Sequence, residues 1–268
     1  MRFISWGGGV QSTTLAVMSA LGDLPRVDAV IFADTGWEFS GTYQAVAFYT
    51  EFLTRHGLRV ERVSAGNIKE DGIRPYIHIP FWTSFGGPLQ RQCTNHFKIE
   101  PVARRIRELL GFHPSDPPHP PAGAAELWLG ISLDEYLRMK RSRVSYIIHA
   151  YPLVMDKKMT RSDCKRYLQE HNLPIPPKSA CVCCPYRSAS DLLDIKSRAP
   201  EEFAALLEFD RSIRHLKLQG VHSSELYVWK GRHPLEEVDL EAAARREQRH
   251  WKQLPLTATE CESGFCWT

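Results

Sequence analysis

Along the first 65 positions, short continuous apolar runs alternate with longer segments that have helical spacing. Arg2–Trp6 and residues 27–33 are apolar runs of strand length, as expected for buried parallel strands. Residues 42–56 have the spacing of an amphipathic helix, and residues 58–63 predict another strand. The alternation predicts an α/β fold built on a doubly wound, mostly parallel sheet, in which ligands lie at the carboxyl ends of the strands.

The pattern is less regular after residue 65. Residues 99–110, 161–171 and 200–218 predict helices, and residues 126–131 predict a strand. Residues 113–123 carry five prolines, which predicts an exposed loop. We expect a nucleotide-binding α/β domain over residues 1–155. A smaller helical, cysteine-bearing region with a mobile C-terminal tail is expected over residues 156–268.

Composition sets broad limits on the function. The chain has 268 residues with 34 basic and 31 acidic side chains, a net charge of +3. This mildly basic balance permits an anionic substrate without requiring nucleic acid. No apolar run reaches the roughly 18 residues of a membrane span, and no signal peptide precedes the first strand. We therefore expect a cytoplasmic protein without a membrane partner.

A glycine turn separates the first predicted strand from the first predicted helix. Its sequence is Gly7, Gly8 and Gly9, followed by Val-Gln-Ser-Thr over residues 10–13. Glycines allow backbone N–H groups to approach a phosphate, and the helix N-terminus adds a favourable dipole. A tight turn with a helix cap at Ser12 is the alternative. The turn is neither a Walker A loop nor a G-x-G-x-x-G fingerprint.

The turn resembles the PP-loop S-G-G-x-D-S, with Gly7 in place of the first Ser and Gln11 in place of the Asp. The Gln replacement also occurs in phosphoadenylyl-sulfate (PAPS) reductases. Similar segments follow in the family's order up to about residue 187, and they begin at residues 34 (Asp-Thr-Gly), 91 (Arg-Gln-Cys-Thr), 130 (Gly-Ile-Ser) and 151 (Tyr-Pro-Leu). The chain thus resembles the PAPS reductase-like PP-loop family of the adenine nucleotide alpha hydrolase superfamily, whose fold is Rossmann-like.

The resemblance implies a pocket for ATP with Mg²⁺, or for adenylyl sulfate. The residues it assigns to this nucleotide site are Ser5, Gly7, Gly8, Gly9, Gln11, Ser12, Thr13, Asp34, Gly36 and Gly130. Without the resemblance, Asp34 would be interpreted as a helix cap or turn residue.

Five basic residues are candidate contacts for phosphate or sulfate: Arg91, Lys98, Arg138, Arg141 and Arg143. Arginine suits bidentate recognition of such anions. Arg138 lies in a family-like segment and is a candidate catalytic residue. Arg141 and Arg143 are more typical of a solvated surface.

Seven cysteines stand at positions 93, 164, 181, 183, 184, 261 and 266. Three of them fall within four residues, a density that favours zinc or an iron–sulfur cluster over a disulfide framework. Buried structural cysteines or a redox dithiol are the alternatives.

Iron–sulfur adenylyl-sulfate reductases place a cysteine pair and a later C-x-x-C at a similar separation. That resemblance implies a [4Fe–4S] cluster held by Cys93, Cys164, Cys181 and Cys184, with Cys183 as the alternative fourth ligand. Binding by three cysteines, or binding of zinc, stays open. Cys261 and Cys266 resemble the family's C-terminal nucleophile in part and are candidate catalytic thiols; a disordered tail with incidental cysteines is the alternative.

Three functions are consistent with these features. The first is an ATP pyrophosphatase and sulfurtransferase that adenylates an acceptor, with DNA phosphorothioation or tRNA thiolation as examples and a cysteine desulfurase as the sulfur donor. The second is a reductase of adenylyl sulfate or PAPS. The third is a non-catalytic sensor of a nucleotide or cluster.

Overall fold

A computed structural model describes residues 1–113, 115–216 and 224–253, with side chains described up to residue 249. The strands in these ranges are β1 (Arg2–Trp6), β2 (Ala29–Asp34), β3 (Val60–Ser64), β4 (Trp82–Thr83), β5 (Gly86–Pro88), β6 (Ala125–Leu129), β7 (Ile147–Ala150) and β8 (Leu226–Tyr227). The α-helices are α1 (Val10–Leu21), α2 (Ser40–Arg55), α3 (Glu100–Leu109), α4 (Pro152–Met155), α5 (Arg161–Glu170), α6 (Ala189–Arg198), α7 (Pro200–Ile213) and α8 (Leu240–Gln253).

The main sheet has the strand order β3-β2-β1-β6-β7, and every neighbouring pair is parallel. The chain builds outward from β1 in one direction through β2 and β3, and then in the other through β6 and β7. The order therefore reverses between β1 and β6. Ligands of open parallel sheets bind at such a switch point, beyond the carboxyl ends of its strands.

Alternating side chains bury both faces of this sheet. Ile4 and Trp6 of β1 pack in one core with residues of α1, α2 and α5. Phe3 faces the opposite core, which contains Val102 and Ile106 of α3. The expected α/β fold with a doubly wound parallel sheet is therefore confirmed.

A third core holds the cysteine-bearing region together. It combines residues 68–97 with residues 181–244, including a small antiparallel sheet of order β5-β4-β8. Helix α5 lies beyond residue 155, but it packs against α1, which covers one face of the main sheet. The boundary predicted near residue 155 stays a prediction, and the packing of these elements crosses it.

Most described residues of the proline-rich loop are exposed, as predicted, and one buried arginine attaches the loop to α3. Arg107 is only 5% exposed. Its guanidinium donates hydrogen bonds to the carbonyl oxygens of His113, Asp116 and Pro118 and contacts Nδ1 of His119. A buried guanidinium must satisfy its donors, and the turns of this loop supply the acceptors.

Helices α6 and α8, strand β7 and the small sheet were not predicted from the sequence pattern. Among the described residues, no helix has the length and apolar character needed to cross a lipid bilayer.

Candidate functional site

The glycine turn lies at the switch point of the sheet, where it joins β1 to α1. A cavity of about 100 Å³ opens there, between the ends of β1 and β6. The predicted nucleotide-binding residues that line it are Ser5, Gly7, Gly9, Gln11, Ser12 and Gly130. Helix α1 begins at Val10 with no side-chain cap and no acidic residue in its first turn. Its N–H groups and positive dipole end therefore favour an anion.

Two glycines allow the close packing that shapes this cavity. Gly8 has φ +73°, and a Cβ there would lie 2.9 Å from the Val46 side chain of α2. At Gly130 a Cβ would lie 2.6 Å from the backbone nitrogen of Ser12 and 2.8 Å from its Cα. Contacts this short with backbone atoms require the backbone to move. Gly130 therefore lets the end of β6 meet the first turn of α1.

The cavity walls carry more positive than negative charge. Four basic side chains, Lys98, Arg138, Arg161 and Lys178, line the cavity together with one carboxylate, Glu135. These basic side chains come from segments that are far apart in the sequence, and the fold brings them together at the cavity. This balance suits a polyanion such as the phosphates of a nucleotide.

Gln11 belongs to a partly buried polar network at one wall of the cavity. Its side-chain amide donates to Glu135 Oε2 at 3.2 Å and to Ser132 Oγ at 3.4 Å. Arg138 Nη1 lies 2.9 Å from Glu135 Oε1, and both side chains are largely buried. The Gln11 amide thus binds the Glu135 carboxylate, whereas an aspartate at position 11 would repel that carboxylate. Glu135 was not predicted as a site residue, although its position three residues before Arg138 was a usable signal.

Thr13, Asp34 and Gly36 do not line the cavity, and their place in a nucleotide site stays a prediction. Thr13 is buried, and its hydroxyl oxygen accepts a hydrogen bond from Trp6 Nε1 at 2.9 Å. Asp34 accepts hydrogen bonds from Gly36 N at 2.9 Å, from the Tyr43 hydroxyl and from Arg62. These partners give Asp34 a structural role at the end of β2. Gly8 also lies behind the cavity, against α2.

Asp34 gives the fold a pH dependence that can be measured. Burial alone would raise the pKa of Asp34, but hydrogen bonds from Arg62, Gly36 and Tyr43 lower that pKa below the ordinary 3.8. A lowered pKa in the folded state stabilises the fold above the unfolded pKa, and this stabilisation is lost as pH falls through the folded pKa. Asp34→Asn is expected to lower the free energy of unfolding at neutral pH.

In urea titrations the difference between Asp34→Asn and the wild type should shrink from about pH 5 to about pH 2, because protonation removes the same charge from the wild type. Arg62 is well exposed, which limits its share of the effect. A stability difference that stays constant over this range would contradict the role given to Asp34.

The segment from Lys178 to Cys181 lies across the glycine turn and was missed by the sequence analysis. The Ser179 hydroxyl donates a hydrogen bond to the Gly7 carbonyl oxygen. Lys178 reaches the cavity and forms an ion pair with Asp191 at 2.6 Å. The contact joins residues 172 positions apart in the sequence, so no local motif signals it.

Cysteines 93, 181, 183 and 184 line a second cavity, of about 30 Å³, directly beyond this segment. Cys93 precedes a π-helical turn, Asn95–Ile99, whereas the other three follow Ser179 closely in the sequence. Cys181 and Cys183 are buried, and Cys93 and Cys184 are partly exposed. We call this space the thiol cavity. Arg91 also lines it, with its guanidinium 5.3 Å from the Tyr186 ring centroid.

A buried carboxylate and a lysine connect the two cavities. Glu38 Oε1 lies 3.1 Å from Lys98 Nζ and 3.6 Å from Cys181 Sγ. The Thr35 hydroxyl contacts both Glu38 and Cys181. Lys98 itself lines both the glycine-turn cavity and the thiol cavity. Burial and the neighbouring Glu38 raise the pKa of the Cys181 thiol, while Lys98 opposes the rise.

Cys164 lies apart from these four cysteines, and its assignment as a metal ligand stays a prediction. It belongs to the core beneath α1 and α5 and is fully buried. Its backbone carbonyl contacts the Thr14 hydroxyl of α1. Burial raises the pKa of its thiol to about 12. Cys164 therefore packs as a small apolar residue.

The thiol cavity fits a metal in the chemistry of its donors. Four sulfur atoms from two chain segments are the ligand set that iron–sulfur clusters and zinc prefer. In their present positions, no three His, Cys, Asp or Glu side chains among the described residues form a ready metal site. Loading a metal would therefore require the thiols to lose their protons and to reorient. Cys261 and Cys266, the predicted catalytic pair, lie outside the described residues.

Comparison with solved structures shows a distant similarity, whereas comparison by sequence finds none. No family model and no curated protein matches the chain. Among solved structures, the chain is similar to the U34-tRNA thiolase NcsA from Methanococcus maripaludis with its [4Fe-4S] cluster. The identity is 12%, the TM-score is 0.40, and the match covers 81% of this chain and 72% of that one. This level of similarity assigns no function to the chain.

Proposed function

We propose that this protein is an ATP-dependent sulfurtransferase that activates an acceptor oxygen as an adenylate and replaces it with sulfur. The observation that carries the proposal is the shared wall between the two cavities. Lys98 lines both of them, and the segment from Lys178 to Cys181 passes from one to the other. A nucleotide at the glycine turn would therefore have its phosphates next to a cluster of thiols.

The chemistry follows from what each cavity offers. At the glycine turn the acceptor oxygen attacks the α-phosphorus of ATP, the bond to the bridging oxygen breaks, and pyrophosphate leaves. Hydrosulfide from a donor protein then attacks the adenylated carbon, the carbon–oxygen bond breaks, and AMP leaves. Arg138, Arg161 and Lys178 are placed to neutralise phosphate charge, with Mg²⁺ shielding the pyrophosphate.

The thiol cavity would hold the iron–sulfur cluster of this enzyme. We assign Cys93, Cys181, Cys183 and Cys184 as its ligands because they line one cavity. A cluster bound there would supply a site for sulfide. The chain's own residues bind and orient: Glu38 holds Lys98, and Ser179 fixes the glycine turn. A cysteine desulfurase is the proposed source of the sulfur, delivered as a persulfide that an external thiol reduces to hydrosulfide.

Product analysis tests the proposal. Anaerobically purified protein is incubated with ATP, Mg²⁺, hydrosulfide and either small RNA or single-stranded DNA, and the products are separated by ion-exchange chromatography. We expect AMP and pyrophosphate in equal amounts, with sulfur in the acceptor. Formation of ADP and phosphate would contradict the proposal. Sulfite release from adenylyl sulfate, without AMP formation from ATP, would identify a reductase instead.

A further inference from the structure

A surface at the mouth of the glycine-turn cavity combines exposed apolar and aromatic side chains. It begins with a 3₁₀ helix, Leu133–Arg138, that directs side chains both inward and outward. Glu135 and Arg138 line the cavity, whereas Tyr136 is 51% and Leu137 is 81% exposed. Helix α4 packs against this 3₁₀ helix and exposes Met155. The result is an exposed apolar strip beside the cavity.

Basic side chains border this strip. Lys140, Arg141 and Arg143 follow the 3₁₀ helix and are all exposed, and Lys157 and Lys158 are exposed after α4. In the described part of the chain, no carboxylate pairs with Lys140, Arg141 or Arg143.

Some exposed arginines elsewhere on the molecule have acidic partners. The pairs are Arg55 with Glu51, Arg59 with Glu61, Arg198 with Asp194 and Arg211 with Glu236. Lys140, Arg141 and Arg143 lie within four positions of the chain beside the cavity, so one anionic partner would neutralise all three.

The basic loop is held in place and covers an open space. The Tyr151 hydroxyl accepts a hydrogen bond from Lys140 N at 2.8 Å, and His149 Nδ1 lies 2.9 Å from the Lys140 carbonyl oxygen. A surface cavity of about 510 Å³ lies at this loop, lined by Lys140, Arg141, His149 and Tyr151 among others. This space is large enough for a nucleotide that has left its stack.

We propose that this surface, the acceptor face (Leu133, Tyr136, Leu137, Lys140, Arg141, Arg143), binds a single-stranded segment of nucleic acid. The proposal rests on the proposed function, because it names the acceptor class for the neighbouring cavity. Phosphates would lie along the three cations, and a base would stack on Tyr136. A single strand is favoured over a duplex because the reacting base must leave any stack to reach a nucleotide bound at the glycine turn.

Binding measured without ATP tests the proposal independently of catalysis. Fluorescence anisotropy is recorded with labelled single strands of about 12 nucleotides, one RNA and one DNA of the same sequence. The triple variant Lys140→Ala, Arg141→Ala, Arg143→Ala is expected to bind about tenfold or more weakly. The salt dependence should also fall by about two in slope, since three phosphate contacts are lost.

A charge-matched variant is the control. Arg55→Ala, Arg59→Ala, Arg211→Ala also takes the net charge from +3 to zero, since 34 − 3 equals 31. It should bind the strands nearly as well as the wild type. Equal losses in the two triple variants would overturn the proposal, because binding would then follow net charge alone.

An aromatic pair tests stacking. Tyr136→Ala should weaken binding several-fold, whereas Tyr76→Ala, at another well-exposed tyrosine, should not. Tighter binding of a duplex than of either single strand would overturn the single-stranded assignment. If polyglutamate of matched charge displaces the strand, the nucleic-acid assignment is overturned, and an acidic protein becomes the partner of this surface. The RNA and DNA arms identify which nucleic acid is preferred.

Titration with ATP separates this proposal from the proposed function. The acceptor-face triple variant should bind ATP as the wild type does, because none of its three residues lines the glycine-turn cavity. Strand binding without ATP cleavage would support the acceptor face and contradict the sulfurtransferase. If the protein cleaves ATP to AMP but the triple variant binds the strand as well as the wild type, the sulfurtransferase is supported and the acceptor face is contradicted.

Discussion

Replacing Gly130 with alanine is expected to weaken ATP binding by about 100-fold or more, a loss of ~2.8 kcal/mol. The new Cβ would lie 2.6 Å from the Ser12 nitrogen and 2.8 Å from its Cα. Neither atom is the end of a flexible side chain, so β6 and the first turn of α1 must separate. The N–H groups that face the phosphates would then lose their alignment. Isothermal titration with a non-hydrolysable α,β-methylene ATP measures the effect.

Gly87→Ala is the matched control for this substitution. A Cβ at Gly87 meets no atom within 4 Å, so this variant should bind the nucleotide like the wild type. Circular dichroism and thermal unfolding report whether Gly130→Ala keeps the fold. A folded Gly130→Ala protein with unchanged affinity would show that the nucleotide does not bind at the switch point.

Replacing Cys181 with alanine is expected to remove most of the iron and sulfide from protein purified without oxygen. Cys181 contributes one of the four sulfurs around the thiol cavity, and loss of a ligand generally destabilises a cluster. The wild type should carry about four irons and show a broad absorbance near 400 nm. Elemental analysis and absorbance measure both quantities.

Cys164→Ala separates cluster binding from general loss of a buried thiol. Cys164 is as deeply buried as Cys183 but lies in the core of α1 and α5. This variant is expected to lose stability and to keep the full iron content. Iron loss in Cys164→Ala would contradict the assigned ligands, and a colourless wild type with one zinc would contradict the iron–sulfur cluster.

The sequence predicted the sheet and the glycine turn because both depend on local patterns. Continuous apolar runs report burial on both faces of a strand, and consecutive glycines report a turn that needs small residues. The helices α6 and α8 were missed because their apolar positions are diluted by charged ones. The charge-rich sequence of residues 240–253 has few large apolar side chains, and its helix is recognised only from its packing against α6.

The cysteines show where spacing fails as a guide. Cys164 and Leu168 are four residues apart and both fully buried, the pattern of an inward helix face. Cys164 belongs to that inward face in the structure, whereas its assignment as a metal ligand came from the family resemblance. Cys183 was only an alternative in the sequence analysis, because the fold rather than the spacing determines which sulfurs meet.

Several site contacts depend on tertiary structure alone. Ser179 reaches the glycine turn across 172 residues, and Glu38 meets Cys181 across 143. Asp34 ends its strand next to Arg62 of β3, which satisfies the carboxylate before any ligand can. A motif match could not distinguish this structural role from nucleotide binding.

Affinity labelling tests most directly whether an adenine nucleotide occupies the glycine-turn cavity beside the thiols. 5′-Fluorosulfonylbenzoyl adenosine carries its reactive group where the outer phosphates of ATP would lie. The protein is labelled, digested and mapped by mass spectrometry. The account predicts labelling of Lys98 or Lys178, the two lysines that line the cavity, and protection by ATP. Labelling confined to lysines outside the cavity, or unchanged by saturating ATP, would contradict it.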